Sequence, residues 1–241
     1  MRLLVVVVVV AIVVAGAALV QALISRGDAT PRTAAERAIL SAEEAVRANP
    51  DDPVARVRLA AAYLEQGSPT KAAEQAEIAL RINPEMPDAH FVLGVASHRQ
   101  GDYEAAIASL TRATEMEGQF APFYQEVYVA LARAQEQSGD IEGALDSLED
   151  SLRFGPENAL VTLERAEMLE RAERWEEAAF DFGYSLLFVP DMQEALDGLA
   201  RIEQGHPEEY AKAMEQLEIV RAQARPHAGD SAPDEDDADQ E

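Results

Sequence analysis

The sequence predicts an all-α protein, an α-solenoid of antiparallel helix pairs preceded by one transmembrane helix and followed by a disordered acidic tail. Three observations lead to this prediction. A similar stretch of sequence recurs four times at a nearly constant spacing, which is typical of solenoids. Within each recurrence the apolar residues follow the period of a helix. The chain also opens with a long run of uncharged residues.

The overall composition excludes several classes of function. The 241 residues carry a formal net charge of −25 at pH 7 and include no cysteine. Because phosphate binding needs a positively charged surface, this charge argues against nucleic acid as a partner. The absence of cysteine excludes disulfides, thiolate zinc sites and covalent haem attachment.

Residues 3–24 contain no charged side chain and follow a short flank of residues 1–2. As a helix with a rise of about 1.5 Å per residue they would extend about 33 Å, enough for a bilayer core of about 30 Å. The run therefore predicts a transmembrane helix in contact with the lipid bilayer. Residues 25–32 would be its linker, and the chain would be a single-pass membrane protein of a bacterial inner membrane.

A cleaved signal peptide is the competing interpretation of this run, because Val20-Gln21-Ala22 places small residues where a signal peptidase could cut. The run is longer than the apolar region of about 7–15 residues that is typical of signal peptides, which favours an uncleaved anchor. The orientation signals conflict, since Arg2 precedes the run while Arg26 and Arg32 follow it. Our prediction places the soluble domain on the extracytoplasmic side.

Four repeats follow from the positions of three turn glycines. Gly67, Gly101 and Gly139, with Glu173 at the fourth equivalent position, are separated by 34, 38 and 34 residues. The predicted repeats cover residues 53–86, 87–120, 121–158 (with a four-residue insert) and 159–192. Numbered from Pro53, Pro87, Gln125 and Ala159, the repeats place small residues at positions eight and twenty, where two helix backbones can approach closely. These residues are Ala60, Gly94, Ala132 and Ala166, followed by Ala72, Ala106, Ala144 and Ala178.

Helix boundaries are marked by residues with known positional preferences. The second helix of a repeat is expected to end before Pro84, Pro156 or Pro190, and at Gly118 in the second repeat. Asp102 and Asp140 are candidate N-caps, and Thr33-Ala-Ala-Glu36 is a candidate capping box.

The segments around the four repeats complete the domain organisation. Residues 33–50 predict one partial-repeat helix, residues 193–224 predict C-terminal capping helices, and the acidic residues 225–241 predict disorder. The insert lengthens the first helix of the third repeat by about one turn, with Pro122 as its first residue. Four aromatic residues near the insert predict either a contact patch or local packing. They are Phe120, Phe123, Tyr124 and Tyr128.

This pattern resembles the tetratricopeptide repeat (TPR), which has small residues at positions eight, twenty and twenty-seven and proline at thirty-two. The resemblance covers residues 33–200, and residues 90–97 followed by Gly101-Asp-Tyr-Glu-Ala-Ala match it best. The chain departs from the family at Arg165, where leucine is usual, and at Ser97 and Gln135, where tyrosine is usual. We expect looser packing at those three positions.

The resemblance implies that partners bind to the concave wall formed by the first helix of each repeat. Transferred position by position, it predicts a groove with Phe91 and Leu64 as apolar anchors and with Arg99 or Arg133 available to a carboxylate. The carboxylate clamp that captures chaperone C-termini is missing, because its lysine and asparagine have no equivalents here. The predicted groove comprises Val57, Ala61, Leu64, Phe91, Val95, His98, Arg99, Val129, Arg133, Glu136, Leu163 and Glu167.

No catalytic motif accompanies the repeats: the sequence has no phosphate-binding glycine loop, no HExxH and no nucleophile elbow. The prediction is therefore a non-enzymatic, membrane-anchored TPR scaffold without cofactor or metal, which binds a protein or peptide during envelope complex assembly or protein biogenesis. Two alternatives remain open. The chain could resemble the cytochrome c maturation TPR subunit that presents apocytochrome, or be a structural membrane protein that forms homo-oligomers.

Overall fold

The computed structural model describes residues 33–116 and 121–224. These residues form eleven α-helices. The helices group into two compact units, an N-terminal unit that ends at Gln100 and a C-terminal unit that begins at Gly101.

The N-terminal unit contains four helices in which each packs against the next. Short connections turn each helix back along its predecessor, as in other helix hairpins. The four helices are α1 (Ala34–Ala48), α2 (Pro53–Glu65), α3 (Pro69–Ile82) and α4 (Pro87–Gln100).

Small side chains fill the core of the N-terminal unit and let its helices approach closely. One cluster joins α2, α3 and α4 and a second joins α1 to α2. The first cluster comprises Ala60, Leu64, Ala72, Ala76, Val92 and Ala96, and the second comprises Ile39, Ala42, Leu59 and Ala62.

The C-terminal unit contains seven helices. They are α5 (Tyr103–Glu115), α6 (Ala121–Ser138), α7 (Ile141–Phe154), α8 (Ala159–Arg171), α9 (Trp175–Phe188), α10 (Gln193–Gly205) and α11 (Pro207–Ala224). At 18 residues α6 is the longer helix that the insert predicts, but it begins at Ala121, so Pro122 is its second residue and not its first. Proline is tolerated there because the first amides of a helix have no intrahelical acceptor.

The core of the C-terminal unit is centred on Phe182, whose side chain is fully buried. Gly198 of α10 lies against its ring, and a Cβ atom added at Gly198 would lie 2.5 Å from Phe182 Cζ. Helix α11 packs on α9 and covers the end of this core with Ala213 and Leu217.

The same turn recurs at all four of the aligned positions. Gly67, Gly101 and Gly139 have φ values of 80°, 82° and 92°, and Glu173 has a φ of 60°. This is the left-handed region, which glycine adopts freely and other residues adopt at a cost. Glu173 therefore has the same type of backbone conformation as the three aligned glycines, although it is not a glycine.

Helix termini follow the expected capping residues. Thr33 and Glu36 form the capping box, and the side chains of Asp102 and Asp140 accept hydrogen bonds at 3.0 Å from the amides of Ala105 and Gly143. Helices α3, α7 and α9 end at Ile82, Phe154 and Phe188, in each case two residues before a proline. The small residues at positions eight, twenty and twenty-seven of the four repeats are all buried.

Several predicted features lie outside the described residues. They are the transmembrane helix at 3–24, its linker at 25–32, Gly118, Phe120 and the acidic tail at 225–241. Between residues 33 and 224, leaving out 117–120, no helix combines the length and the apolar character that crossing a bilayer requires.

Candidate functional site

The predicted groove residues of the N-terminal unit form a small apolar surface at the edge of its core. Val57 and Ala61 on α2 and Phe91 and Val95 on α4 are half-buried, and all four pack against the cluster that joins α2, α3 and α4. Leu64 belongs to that cluster and is only 9% exposed, so it offers little surface to a ligand. The apolar surface that remains accessible therefore consists of Val57, Ala61, Phe91 and Val95.

Arg99 stands at one end of this surface and takes part in the packing of the unit. Its Nη1 donates a hydrogen bond to the carbonyl oxygen of Leu64 at 2.5 Å. That carbonyl belongs to the last turn of α2, where backbone oxygens lack an intrahelical donor. Arg99 thus ties the end of α4 to the end of α2, and a guanidinium has further donors that this bond does not use. His98, its neighbour, is half-buried.

Two predicted groove residues of the C-terminal unit, Arg133 and Glu136, belong to a series of ion pairs that we call the charge ladder. Arg133 on α6 donates from Nε and Nη2 to the two carboxylate oxygens of Glu164 on α8, at 2.7 and 2.8 Å. Arg201 on α10 makes the same two-point contact with Glu170 on α8, at 2.8 and 2.7 Å.

A third ion pair completes the charge ladder between α6 and α8. The guanidinium of Arg171 donates to the carboxylate of Glu136. The ladder therefore consists of Arg133–Glu164, Glu136–Arg171 and Glu170–Arg201, and it links α6 to α8 and α8 to α10. Its arginine side chains are about half exposed, whereas its carboxylates are mostly covered.

The charge ladder pairs three arginines with three glutamates on this wall. The hydrogen bonds that Arg133 donates to Glu164 raise the pKa of its guanidinium above the ordinary value, and those that Arg201 donates to Glu170 do the same for Arg201. Exposed ion pairs of this kind contribute little stability individually. Their larger effect here is that Arg133 and Glu136, predicted as contacts for a partner, already contact residues of the next repeat.

Sequence reasoning missed the charge ladder because it compared like positions between repeats. The paired residues are 31 or 35 positions apart, close to the 34-residue period but not equal to it. Opposite charges near one period apart are the signal that could have revealed these pairs.

The other predicted groove residues of the C-terminal unit have partly covered side chains. Val129 and Leu163 are half-buried and pack against the core around Phe182, and Glu167 is half-buried on α8. The apolar part of the predicted groove is therefore better developed in the N-terminal unit than in the C-terminal unit.

Two of the three departures from the repeat pattern, Arg165 and Gln135, have polar partners. Arg165 on α8 donates from Nε and Nη2 to the carboxylate of Asp181 on α9, at 2.6 and 2.8 Å. Gln135 accepts a hydrogen bond from the hydroxyl of Ser147 at 2.6 Å, and Ser97 is buried. Burial raises the pKa of the Asp181 carboxyl above its ordinary value, although Arg165 opposes the shift.

The aromatic residues near the insert take part in packing. Tyr124 is buried, and both Tyr124 and Tyr128 stack on Phe154 with ring centroids 5.6 and 5.8 Å apart. Phe123 meets Tyr124 edge-on at 5.4 Å. These contacts within the unit favour the packing interpretation over a contact patch.

The titratable side chains do not gather into a metal-binding arrangement in the described parts of the chain. Within residues 33–116 and 121–224, no group of three or more histidine and carboxylate side chains is placed to hold a metal ion. The shifted pKa values there belong to arginines and carboxylates in ion pairs, and to the tyrosines Tyr63 and Tyr128, whose pKa is raised by burial.

Comparison with known families identifies the repeats. Models described as tetratricopeptide repeat match residues 34–83, 57–122 and 97–163. Together these matches span more than half of the 241-residue chain. Among curated proteins, none matches the sequence.

Several solved structures share the fold. PilF of Pseudomonas aeruginosa is 19% identical with a TM-score of 0.55, covering 82% of this chain and 94% of its own. MamA of Desulfovibrio magneticus RS-1 is 19% identical with a TM-score of 0.59, covering 67% and 89%. YrrB, described as a TPR protein with an unusual peptide-binding site, is 13% identical with a TM-score of 0.51, covering 73% and 97%. At these identities the likeness concerns the fold alone.

Proposed function

Because the chain belongs to the tetratricopeptide repeat proteins, we propose that it is a non-enzymatic scaffold that binds a protein or peptide partner. The observation that carries this proposal is the apolar surface of Val57, Ala61, Phe91 and Val95, which two neighbouring first helices hold at the edge of a packed core. Apolar side chains that stay partly exposed on a rigid helical wall are suited to anchor residues of a partner. The peptide-binding site of YrrB is consistent with this use of the fold.

The chemistry of this surface favours an apolar or amphipathic segment as the partner. Phe91 offers the largest side chain of the four, and Arg99 at the end of the surface has guanidinium donors beyond the one that contacts Leu64. A partner with apolar side chains followed by a carboxylate would match both groups. The charge ladder is less suited to capture a charged partner, because its arginines would first have to leave their glutamates.

Site-specific cross-linking tests this proposal. A photoreactive phenylalanine analogue at position 91 is expected to capture a specific partner in native membranes, to be identified by mass spectrometry. The matched control places the analogue at Glu77, which is exposed on α3 outside the apolar surface. Equal capture from both positions, or none from position 91, would refute the proposed groove. Capture of a second copy of this chain would replace the scaffold proposal with self-association, and capture of an apocytochrome would support the cytochrome c maturation alternative.

We also propose that residues 3–24 tether this scaffold to a bacterial inner membrane, with the repeats on the extracytoplasmic side. The support is the length and the uncharged character of the run. Tethering would raise the effective concentration of the groove near membrane-bound partners, so a weak contact would suffice. Retention of the chain in alkali-washed membranes with an intact N-terminus is the expected result. A mature protein that begins after Ala22 would instead establish a cleaved signal peptide, and a reporter fused to the C-terminus would give the orientation.

A further inference from the structure

A cleft of about 460 Å³ opens in the C-terminal unit. Of the helices that form it, only α8 also carries predicted groove residues. Its walls come from α7, α8, α9 and α11. Leu145, Leu169 and Phe180 form its apolar part, and carboxylates line the rest together with two arginines. A volume of this size is within the range of about 300–1,000 Å³ that is typical of binding clefts.

The cleft lies on the opposite side of α8 from the predicted groove. Successive residues of a helix are rotated by about 100°, so Arg165 and Leu169 point roughly away from Leu163, Glu167 and Glu170. The first two residues line the cleft, whereas the last three belong to the groove wall or the charge ladder. A ligand in the cleft would therefore leave the wall of α8 accessible.

The side chains that line the cleft carry more negative than positive charge. The two guanidinium groups are already engaged, Arg165 with Asp181 and Arg174 with Glu177 at 2.7 and 2.6 Å. Arg174 also reaches Glu142 at 3.1 Å.

Three further carboxylates line the cleft, so that five carboxylates in its lining face two arginines. Asp146 and Glu149 lie on α7 and are exposed, and Glu176 lies on α9. Glu149 is 3.7 Å from Arg153, outside the cleft, and Glu176 accepts a hydrogen bond from Gln216 at 2.9 Å. The cleft therefore combines an apolar part with an excess of negative charge.

A local departure from the repeat pattern accompanies the cleft. The seventh position of the other three repeats is Leu59, Leu93 and Leu131, whereas the fourth repeat has Arg165 at this position and at the border of the cleft. The two-point contact with Asp181 holds this arginine against the cleft wall. An arginine at this position is thus specific to the fourth repeat.

We propose that this acidic cleft is a second docking site, for a protein segment in which an arginine or lysine lies next to an apolar residue. The apolar part accepts the apolar side chain and the aliphatic stem of the basic residue, while Asp146, Glu149 and Glu176 surround its cationic end. Charge complementarity selects this occupant. The chain's own acidic residues 225–241 carry a net charge of the same sign as the cleft and so do not match this chemistry.

The test uses the full chain and a fluorescein-labelled peptide of sequence Ala-Arg-Leu-Arg-Phe-Ala, with binding measured by fluorescence anisotropy. The expected result is saturable binding that weakens as salt is raised, because exposed charges are screened by ions. A peptide with glutamine in place of both arginines is expected to bind more weakly. Saturable binding of the glutamine peptide with equal affinity, or no saturable binding of the arginine peptide, would overturn the proposal.

Paired variants of equal charge locate the binding. Asp146→Asn with Glu149→Gln removes two carboxylates from the cleft, and Glu194→Gln with Glu203→Gln removes two exposed carboxylates from α10. We expect the cleft variant to weaken binding about three- to tenfold, in line with exposed ion pairs, and the α10 variant to weaken it less than about twofold. Equal weakening by both variants would show attraction to the net charge of the chain and would overturn the cleft as the site.

The proposal for the cleft and the proposal for the groove can be refuted independently of each other. Cross-linking from position 91 reports the groove, and it is expected to be the same in the cleft variant as in the unaltered chain. Loss of that cross-linking in a folded cleft variant would contradict the proposal that the two sites are separate.

Discussion

The ion pair between Arg165 and Asp181 is the interaction whose disruption we expect to destabilise the C-terminal unit most. Its side chains are 23% and 2% exposed, and two hydrogen bonds of 2.6 and 2.8 Å join them. Removing one partner of a buried pair leaves a desolvated charge and costs about 3–5 kcal/mol. We expect Asp181→Ala to cost about 3 kcal/mol, at the lower end of this range, because Arg165 retains some contact with water.

The converse substitution Arg165→Leu leaves the more deeply buried Asp181 without its cation, and its cost is expected to depend on pH. Burial raises the pKa of the Asp181 carboxyl and Arg165 opposes that shift, so the pKa rises further when the arginine is removed. An acid whose pKa is higher in the folded state favours folding more as the pH falls through that pKa. Arg165→Leu should therefore be least destabilising in acid and most destabilising at neutral pH.

The double variant Arg165→Leu with Asp181→Ser separates the loss of a partner from the loss of the pair. It creates the residues that the third repeat has at the same positions, Leu131 and Ser147, both buried. Replacing a whole buried pair by well-packed residues is often neutral or stabilising by about 1–4 kcal/mol. With Asp181→Ser measured alongside Asp181→Ala as a single variant, the effects of Arg165→Leu and Asp181→Ser are thus expected to be strongly non-additive.

Urea unfolding followed by the fluorescence of Trp175 provides the measurement. Trp175 is the only tryptophan in the sequence, begins α9 and packs against the core of the C-terminal unit. Its ring stacks on His206 with centroids 4.0 Å apart, so its emission should change when the unit unfolds. A local probe is preferable because repeat proteins can unfold in parts. A cost below about 1 kcal/mol for Asp181→Ala, or a double variant as costly as the sum of the singles, would refute this reasoning.

Three further outcomes can be measured on the same chain. Glu173→Gly is expected to stabilise the C-terminal unit by about 0.5–1 kcal/mol, because the residue has a φ of 60° and glycine adopts this conformation without strain; an unchanged urea midpoint would contradict this. Gly198→Ala places a Cβ atom 2.5 Å from the buried ring of Phe182 and should lower the thermal midpoint, with a cost of about 1–3 kcal/mol; a midpoint at or above that of the unaltered chain would show that the ring can move. The hydrogen bond from Arg174 lowers the pKa of the Glu177 carboxyl, so the stability that this pair contributes is present at neutral pH and is lost as the pH falls through that lowered pKa. Glu177→Gln should therefore reduce stability at neutral pH but not in acid, and an equal reduction at both would argue against the ion pair as its cause.

Local features of the fold could be predicted because they depend on residues close together in the chain. The capping box at Thr33 and the caps at Asp102 and Asp140 involve side chains and amides three residues apart. The turn shared by the glycines and Glu173 follows from the spacing of the repeats. The predicted start of α6 at Pro122 differs from its start in the structure, Ala121, by a single residue. The reason is that proline is tolerated at either of the first two helical positions.

The candidate site was less predictable, because exposure and pairing depend on residues one repeat away. Leu64 and Val57 are both apolar residues of α2, yet one is part of the core and the other remains accessible. Their difference depends on how α3 and α4 pack against α2, which no local pattern contains. The same reason applies to Arg133, which has the charge expected of a partner contact but is paired with Glu164 on the next first helix.

The sequence by itself determined where the helices begin and end, how they recur and which small residues lie between them, because capping, turn formation and close helix contact are encoded at short range or by strict periodicity. Only the tertiary structure decided which charges pair across repeats and which apolar residues stay accessible. It also decided that Arg165 reaches Asp181 at the border of an acidic cleft. These features depend on the distance and angle between helices, which result from the packing of all their side chains together.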